Sequence, residues 1–388
     1  MTKKTTQRFV VTTMIGYVTF GIFRYSIPVV LDEIRTLFEL TEAQTGSIMS
    51  SLLLACLLTM NFAGPLTARV GRRIVITIGI TSSSFGALFL GLANSYYTSL
   101  GATFLSGLGA GFLAPSIYSL VGEMAPKSRG FLAGLINGLY VSIGGFTGPF
   151  LSGILIDQFD WRFPLYVFSA ISFLTLVFFW FLSKNLPVEK QGRASNEKSH
   201  VKALTSRQVL IASASMFASY FGFITLFTWA PSFLLRVRGL DVFQTGTTFG
   251  ILALMGGVGS VVLGWLSDKC DRRFVILGAA LTTVATAALF FYYPLTSTTV
   301  VIISIVLGFA SSAFWNLNTS LAQDAVGPMA IVSVTGLIQS VGLIAGIVSP
   351  IASAWLINDA GFEVALITCV CIPYLIHGTL TMLAKTKR

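Results

Sequence analysis

Two copies of one polar motif, Gly64-Pro-Leu-Thr-Ala-Arg-Val-Gly-Arg-Arg73 and Gly264-Trp-Leu-Ser-Asp-Lys-Cys-Asp-Arg-Arg273, stand 200 residues apart in the chain. They share the first glycine, the leucine and the paired arginines in register. The repeat reaches beyond the motif, because Gln44-Thr45-Gly46 recurs as Gln244-Thr245-Gly246 at the same offset. This agreement indicates that the chain consists of two related halves in parallel orientation.

The residues on either side of these motifs are strongly apolar. Of 388 residues, 54% are hydrophobic and 10% are charged, whereas an ordinary soluble domain has roughly 25% charged residues. A helix that crosses a bilayer needs about 20 mostly apolar residues. The sequence offers twelve such stretches, near residues 9–31, 45–67, 74–93, 97–122, 131–156, 163–183, 207–235, 245–267, 274–293, 298–323, 330–356 and 363–384. We therefore predict an all-α membrane protein with twelve transmembrane helices in two six-helix bundles, and a solute site between the bundles.

One long polar segment separates the sixth and seventh stretches. It is rich in Lys, Glu, Ser and Asn, a composition that indicates a linker rather than a membrane span. We predict an N-terminal six-helix bundle over residues 1–183, a cytoplasmic linker over 184–206 and a C-terminal six-helix bundle over 207–388.

The net charge of +10 raises the question of a nucleic-acid partner, but the positions of the basic residues argue for a membrane. The outer loops contain four arginines, Arg35, Arg162, Arg236 and Arg238, and the alternate loops and termini contain nearly all the other basic residues. This asymmetry follows the positive-inside rule with both termini in the cytoplasm. We expect a monomeric, multi-pass protein of the cell inner (plasma) membrane that contacts the lipid bilayer and not nucleic acid.

The sequence does not predict an enzyme. Its two histidines are His200 in the linker and His377 in the last stretch, and neither a cluster of metal ligands nor a serine-base arrangement is evident. We expect no metal and no cofactor. Because no acidic residue lies near the middle of a span, anion exchange, facilitated diffusion and proton symport all remain open.

Arg24 is the one basic residue that falls well inside a predicted span. An arginine near the bilayer centre costs about 2.5–3.5 kcal/mol on insertion scales, so such residues usually face a cavity or a partner. The guanidinium keeps its charge, and its fork of donors suits a pair of carboxylate or phosphate oxygens. We therefore predict that Arg24 binds an organic anion. The competing interpretation is that the side chain extends to Asp32, Glu33 or lipid headgroups.

Polar aromatic and amide side chains within the spans are the candidates to complete this site. Tyr17 lies seven residues before Arg24 and therefore on the same face of the first helix. Tyr220 takes the equivalent place in the second half. The predicted substrate-binding set comprises Arg24, Tyr17, Tyr118, Asn137, Tyr140, Tyr220, Trp229, Asn316 and Gln339.

The repeated motif resembles the loop between helices 2 and 3 of the major facilitator superfamily, which carries a Gly-x-Leu-x-Asp-Arg-x-Gly-Arg-Arg pattern. The first copy has Ala68 in place of the aspartate, and the second keeps Asp268 but has Asp271 in place of the later glycine. The resemblance implies that this loop packs the two halves together on the cytoplasmic side in the outward-facing state, although simple positive-inside anchoring would also explain the arginines. The predicted gating set comprises Gly64, Arg69, Gly71, Arg72, Arg73, Gly264, Asp268, Arg272, Gly148 and Pro149.

The first helix also resembles helix 1 of the organic-anion and organophosphate transporters of that superfamily, through Gly16-Tyr17 followed by Arg24. The resemblance implies that Arg24 binds the charged group of the substrate. Those relatives often have a second basic residue in the other half, but here Phe227 stands at the place equivalent to Arg24. This difference favours a monoanion such as a monocarboxylate over a phosphate dianion.

A second interpretation is a proton-driven exporter of drugs or other lipophilic compounds. The Gly144-x-x-x-Gly148-Pro149 element resembles a helix 5 element of such exporters and suggests this class. Thr103 stands where many such exporters have an arginine in helix 4, and the positive charge of Arg24 disfavours cationic compounds. We therefore predict a secondary transporter that moves a small organic anion by alternating access.

Overall fold

The computed structural model describes residues 3–124, 135–183, 204–293, 296–326 and 330–384. Most of the predicted linker, residues 184–203, lies outside the described residues.

The described residues of the first half form six long helices. They are α1 Lys3–Leu37, α2 Glu42–Val70, α3 Arg72–Gly91, α4 Tyr96–Met124, α5 Leu135–Gln158 and α6 Phe163–Leu182. Each corresponds to a predicted apolar stretch. The end of α1 differs from the prediction, because the helix continues to Leu37 and not to residue 31. Arg35 lies 3.4 Å from Asp32 and 4.0 Å from Glu42, and these ion pairs extend the helix through charged residues that the apolar pattern excluded.

The described residues of the second half repeat this arrangement. They form α7 Arg207–Arg236, α8 Val242–Lys269, α9 Arg272–Tyr292, two segments α10a Ser297–Ser311 and α10b Phe314–Asp324, and a helical stretch Ile331–Met382. Gly361 interrupts that last stretch with φ 83° and ψ 168°, which divides it into α11 (331–360) and α12 (362–382). Eleven helices of the described ranges are long and apolar enough to cross a membrane, with Ile331–Met382 counted as one, so its division accounts for all twelve predicted spans.

The helices pack into two compact units. The first unit comprises α1 to α6 together with Asp241–Gly250, and the second comprises α7, the remainder of α8 and α9 to α12. The segment Asp241–Gly250 joins the first unit by packing closely against α5: a Cβ at Gly246 would lie 2.4 Å from the carbonyl oxygen of Pro149. The sequence division at residue 207 assigns this segment to the second half.

Burial within each unit differs among the helices. In α1 and in α7, 72% of the most apolar window is buried, whereas in α6 the fraction is 33%. α6 exposes Phe173, Phe178 and Trp180, as expected of a helix that presents apolar side chains to lipid. The most enclosed helix of the first unit is therefore the one that carries Arg24.

Candidate functional site

Glycines bring α1 and α5 into direct backbone contact beside Arg24. A Cβ at Gly148 would lie 2.2 Å from the carbonyl oxygen of Ile22, and a Cβ at Gly144 would lie 2.9 Å from the Cα of Gly21. Small residues at a helix interface permit this close approach within a bilayer. The predicted Gly144-x-x-x-Gly148 element is thus the seam between these two helices.

A π-helical turn over Tyr140–Gly144 precedes this seam in α5. Single π turns inside α-helices are often found at functional sites, because the extra residue changes the direction of a side chain without ending the helix. The turn starts at Tyr140, and the Tyr140 ring packs against Gly21. A Cβ added at Gly21 would lie 2.9 Å from atoms of the Tyr140 ring. Glycine at position 21 therefore makes room for the tyrosine.

Arg24 and Tyr17 both contact Tyr140. The Arg24 Nη1 donates to the Tyr140 hydroxyl at 3.1 Å, and the Tyr17 ring stacks on the Tyr140 ring with centroids 4.3 Å apart and planes 18° apart. Tyr17 and Arg24 therefore share one face of α1, as their spacing predicts. Tyr118 of α4 packs edge-on against Tyr17, with centroids 6.4 Å apart.

The structure thus brings together four predicted substrate-binding residues, Arg24, Tyr17, Tyr118 and Tyr140, which we call the tyrosine–arginine cluster. Sequence reasoning missed Tyr25. Its ring centroid lies 5.8 Å from the Tyr140 ring centroid and 5.9 Å from the guanidinium carbon of Arg24. Its position directly after Arg24 gave no signal, since neighbouring helix residues usually point to different sides.

The cluster combines a permanent positive charge with neutral hydroxyl groups. Arg24 is half-buried, whereas Tyr17 and Tyr140 are 7% and 3% exposed. The Tyr140 hydroxyl accepts from one of the guanidinium donors of Arg24. A planar anion can bind such a site through the guanidinium fork and through hydroxyl donors.

The equivalent place in the second unit is aromatic rather than charged. Phe227, the counterpart of Arg24, lies 4.2 Å from Phe223 between ring centroids. Tyr220, the counterpart of Tyr17, contacts Trp315 at 5.2 Å and Phe314 at 5.8 Å. The sequence predicted Tyr220 as a site residue but did not predict Trp315 beside it.

The other predicted binding residues are described by their surroundings within their own units. Trp229 is fully buried, and its indole N–H donates to the Ser353 hydroxyl at 2.9 Å. Asn316 donates from Nδ2 to the Ser260 hydroxyl at 2.8 Å. Asn137 of α5 and Gln339 of α11 are half-buried.

The first copy of the polar motif forms the turn between α2 and α3. Gly71 adopts φ 88° and ψ 150°, a region that favours glycine. Arg73 donates from Nε to the Ser183 hydroxyl at 2.9 Å and stacks over Trp180 at 4.1 Å, which ties the turn to the end of α6. Arg72 is half-buried, whereas Gly64 and Arg69 are exposed.

The second copy uses a different local chemistry. Asp271 replaces the glycine and caps α9 by accepting from the backbone N–H of Arg273 at 3.0 Å. Arg272 pairs with Asp268 at 3.5 Å and also with Asp324 at the end of α10b. The motif therefore joins α8, α9 and α10b within the second unit. A Cβ at Gly264 would meet nothing within 4 Å.

Comparison with known proteins adds one decisive observation to this fold and motif. The profile of the Major Facilitator Superfamily matches residues 13–377. The chain belongs to the major facilitator superfamily. It is accordingly a transporter of this superfamily and not an enzyme, and the helix 1 and loop resemblances seen in the sequence are those of its own family.

Several members of the superfamily are similar to this chain. The gallate transporter of Pseudomonas putida is 24% identical over 61% of this chain and 60% of its own length. The D-galactonate transporter of Escherichia coli O6:H1 is 24% identical over 89% of this chain and 87% of its own. A bacterial homologue of the human lysosomal transporter Spinster, in an inward-facing and occupied conformation, has the same fold, with a TM-score of 0.81, 17% identity and coverage of 99% and 97% of the two chains.

Proposed function

We propose that this superfamily member is a secondary transporter that moves a small organic anion, preferably a monocarboxylate, by alternating access. Arg24 is the anion-binding residue, and Tyr17, Tyr118 and Tyr140 surround it. Relatives named as gallate and D-galactonate transporters support this substrate class. The chain spans 60% of the length of the gallate transporter, so the substrate remains part of the proposal.

The observation that carries the proposal is the hydrogen bond from Arg24 Nη1 to the Tyr140 hydroxyl. It holds the guanidinium against α5 at the π turn, beside the Tyr25 ring. A donor fork that is already positioned loses less conformational entropy when an anion binds. The arrangement therefore suits reversible recognition of a carboxylate.

The preference for a monoanion follows from the asymmetry between the halves. Arg24 supplies one positive charge, and Phe227 occupies the equivalent place in the second half. One carboxylate balances one guanidinium, whereas a phosphate dianion would retain excess negative charge in a medium of low dielectric constant.

The proposed setting is the bacterial inner membrane, with both termini in the cytoplasm and the protein acting as a monomer. The distribution of basic residues supports this orientation. The gating role of Gly64, Arg69, Gly71, Arg72, Arg73, Gly148, Pro149, Gly264, Asp268 and Arg272 is likewise part of the proposal.

A thermal-shift panel on the purified protein tests the function. The panel contains gallate, D-galactonate, aliphatic monocarboxylates, a phosphate monoester and a lipophilic cation. We expect at least one monocarboxylate to raise the unfolding temperature of the wild type, since a ligand that binds the native state stabilises it. The same ligand should give no shift with Arg24→Ala.

Arg162→Ala is the matched control, because Arg162 lies at the start of α6, where it stacks over Trp161 and pairs with Asp160. It should keep the ligand-induced shift. A shift that survives Arg24→Ala would remove Arg24 from the site, and stabilisation by the lipophilic cation alone would favour the exporter interpretation.

A further inference from the structure

Aromatic rings from three helices of the first unit form one contiguous group. The Tyr140 ring lies nearly parallel to two rings of α1, with centroids 4.3 Å from Tyr17 and 6.3 Å from Phe20. Tyr25 lies 5.8 Å from the Tyr140 centroid, and Tyr118 of α4 lies 6.4 Å from the Tyr17 centroid. We call these five residues the first-unit aromatic group, and it includes all three tyrosines of the tyrosine–arginine cluster.

The Arg24 guanidinium contacts two of these rings directly. Its Nη1 donates to the Tyr140 hydroxyl at 3.1 Å, and its central carbon lies 5.9 Å from the Tyr25 centroid, which is within the range of a cation–π contact. Carboxylates bind arginine through the N–H groups of this same planar fork. A carboxylate bound to Arg24 is therefore a neighbour of both tyrosines.

The polar atoms of this group are few and of one kind. The side chains of its five residues carry four phenolic hydroxyl groups and otherwise only carbon, and the Tyr140 hydroxyl already accepts from Arg24. A sugar acid has a hydroxyl group on nearly every carbon, and each one that leaves water without gaining a partner weakens binding. An aromatic ring needs no such partners, and edge-on or offset-stacked contact with tyrosine rings stabilises it beyond simple burial.

The sequence repeat places rings at the equivalent positions of the second unit as well. Tyr17 and Phe20 recur there as Tyr220 and Phe223. Within the second unit, the Phe223 centroid lies 6.2 Å from that of Tyr220 and 5.1 Å from that of Phe314. Both halves therefore carry rings at the helix positions from which the first unit builds its anion site.

We propose that the transported anion is an aromatic monocarboxylate, an inference that names the class of substrate and rests on the proposed function. The carboxylate binds the Arg24 guanidinium, and the ring of the substrate packs against Tyr25 and Tyr140. Benzoate is the simplest member of this class. The aromatic character of the ring is the recognised feature, so a saturated ring of the same carbon number is the critical comparison.

Isothermal titration of the purified wild type with benzoate, cyclohexanecarboxylate and D-galactonate tests the proposal. Each compound carries one carboxylate that is ionised at neutral pH, and the first two have the same number of carbon atoms. We expect benzoate to bind about 2- to 12-fold more tightly than cyclohexanecarboxylate, the fold-change that corresponds to one aromatic pair. D-Galactonate should bind more weakly than both, because its hydroxyl groups lack partners among the rings.

Tyr25→Leu removes the ring beside the guanidinium and keeps an apolar side chain. It should abolish the preference for benzoate over cyclohexanecarboxylate while both anions still bind. Tyr25→Phe restores a ring without the hydroxyl and should restore the preference. Tyr118→Leu is a second variant, which removes the half-buried ring of the group and should reduce the preference. The ratio of the two affinities within one variant is the readout, since a general loss of stability does not change it.

Tyr97→Leu is the matched control, because the Tyr97 ring at the start of α4 is 80% exposed and contacts Tyr96 instead. It should keep the wild-type ratio. Wild-type binding of cyclohexanecarboxylate or D-galactonate as tight as that of benzoate would overturn the proposal. A ratio that stays at the wild-type value in both Tyr25→Leu and Tyr118→Leu would overturn it as well.

Arg24→Ala separates this proposal from the proposed function. If carboxylates lose affinity in Arg24→Ala but the wild type does not prefer benzoate, the anion site stands and the aromatic class is wrong. If benzoate binds Arg24→Ala and the wild type equally, the proposed function itself fails. Uptake of radiolabelled benzoate into proteoliposomes then distinguishes a substrate from an inhibitor. We expect uptake that excess unlabelled benzoate abolishes and that Arg24→Ala lacks, and binding without uptake would overturn the proposal.

Discussion

The Arg24 guanidinium of α1 donates from Nη1 to the Tyr140 hydroxyl of α5 at 3.1 Å. The two residues are 116 positions apart in the sequence and meet because glycines let the two helices touch and because a π turn begins at Tyr140. The same tyrosine stacks on Tyr17. A single aromatic side chain therefore orients the charged group on which the proposed transport depends.

Tyr140→Phe should weaken anion binding while leaving the fold intact. The ring can still stack on Tyr17, but the hydroxyl that positions Arg24 is lost. One such hydrogen bond to a charged group is worth about 1.5–3 kcal/mol, which corresponds to roughly a 10- to 100-fold weaker affinity. Isothermal titration with the best anion of the panel measures this change.

Tyr166→Phe is the control for that variant. The Tyr166 hydroxyl donates to the Gly91 carbonyl at 2.9 Å, between α6 and α3, so its loss should lower the unfolding temperature without changing affinity. Equal affinity losses in the two variants would show that the Tyr140 effect is not specific to the site.

Gly148→Ala should separate α1 from α5. The added Cβ would lie 2.2 Å from the Ile22 carbonyl oxygen, and backbone shifts of this kind cost about 1–3 kcal/mol. We expect a lower unfolding temperature and loss of the ligand-induced shift. Gly101→Ala, where nothing lies within 4 Å of the new Cβ, should keep both.

Gly71→Ala should strain the turn between α2 and α3. Its φ of 88° with ψ of 150° is strongly unfavourable for alanine, and strained backbone positions cost about 1–3 kcal/mol. Thermal unfolding should show a clear loss of stability. Gly278→Ala, in the interior of α9 with open space around it, should instead be neutral or stabilising, and an equal loss there would argue against the strain.

Trp229→Phe should affect stability and not affinity. The fully buried indole donates to Ser353, whose hydroxyl also donates to the Ser349 carbonyl at 2.6 Å. Phenylalanine lacks the indole N–H donor and loses part of the apolar contact area of tryptophan, while the Ser353 hydroxyl keeps its bond to the Ser349 carbonyl. We therefore expect the free energy of unfolding to fall by about 1–3 kcal/mol. If titration showed weaker anion binding at unchanged stability, Trp229 would belong to the binding site after all.

The sequence was sufficient to predict the fold because a bilayer imposes simple rules on it. Each span must be long and apolar, so twelve helices could be counted, and the repeated motif related the two halves. The end of α1 could not be placed, because Asp32 and Arg35 interrupt the apolar pattern yet stabilise the helix through their ion pair.

The candidate site was predictable in its residues but not in its geometry. Arg24 and Tyr17 could be placed on one face from their spacing, whereas Tyr140 meets them through a π turn that depends on how α5 packs against Gly21.

The proposed transport requires an anion to bind directly to the Arg24 guanidinium. This binding is tested most directly by the equilibrium dissociation constant of the best panel anion for the wild type, Arg24→Lys and Arg24→Ala. We predict a partial loss for lysine, which keeps the charge but not the fork, and a loss of about 100-fold or more for alanine. An unchanged affinity in Arg24→Ala would show that the anion does not bind to Arg24.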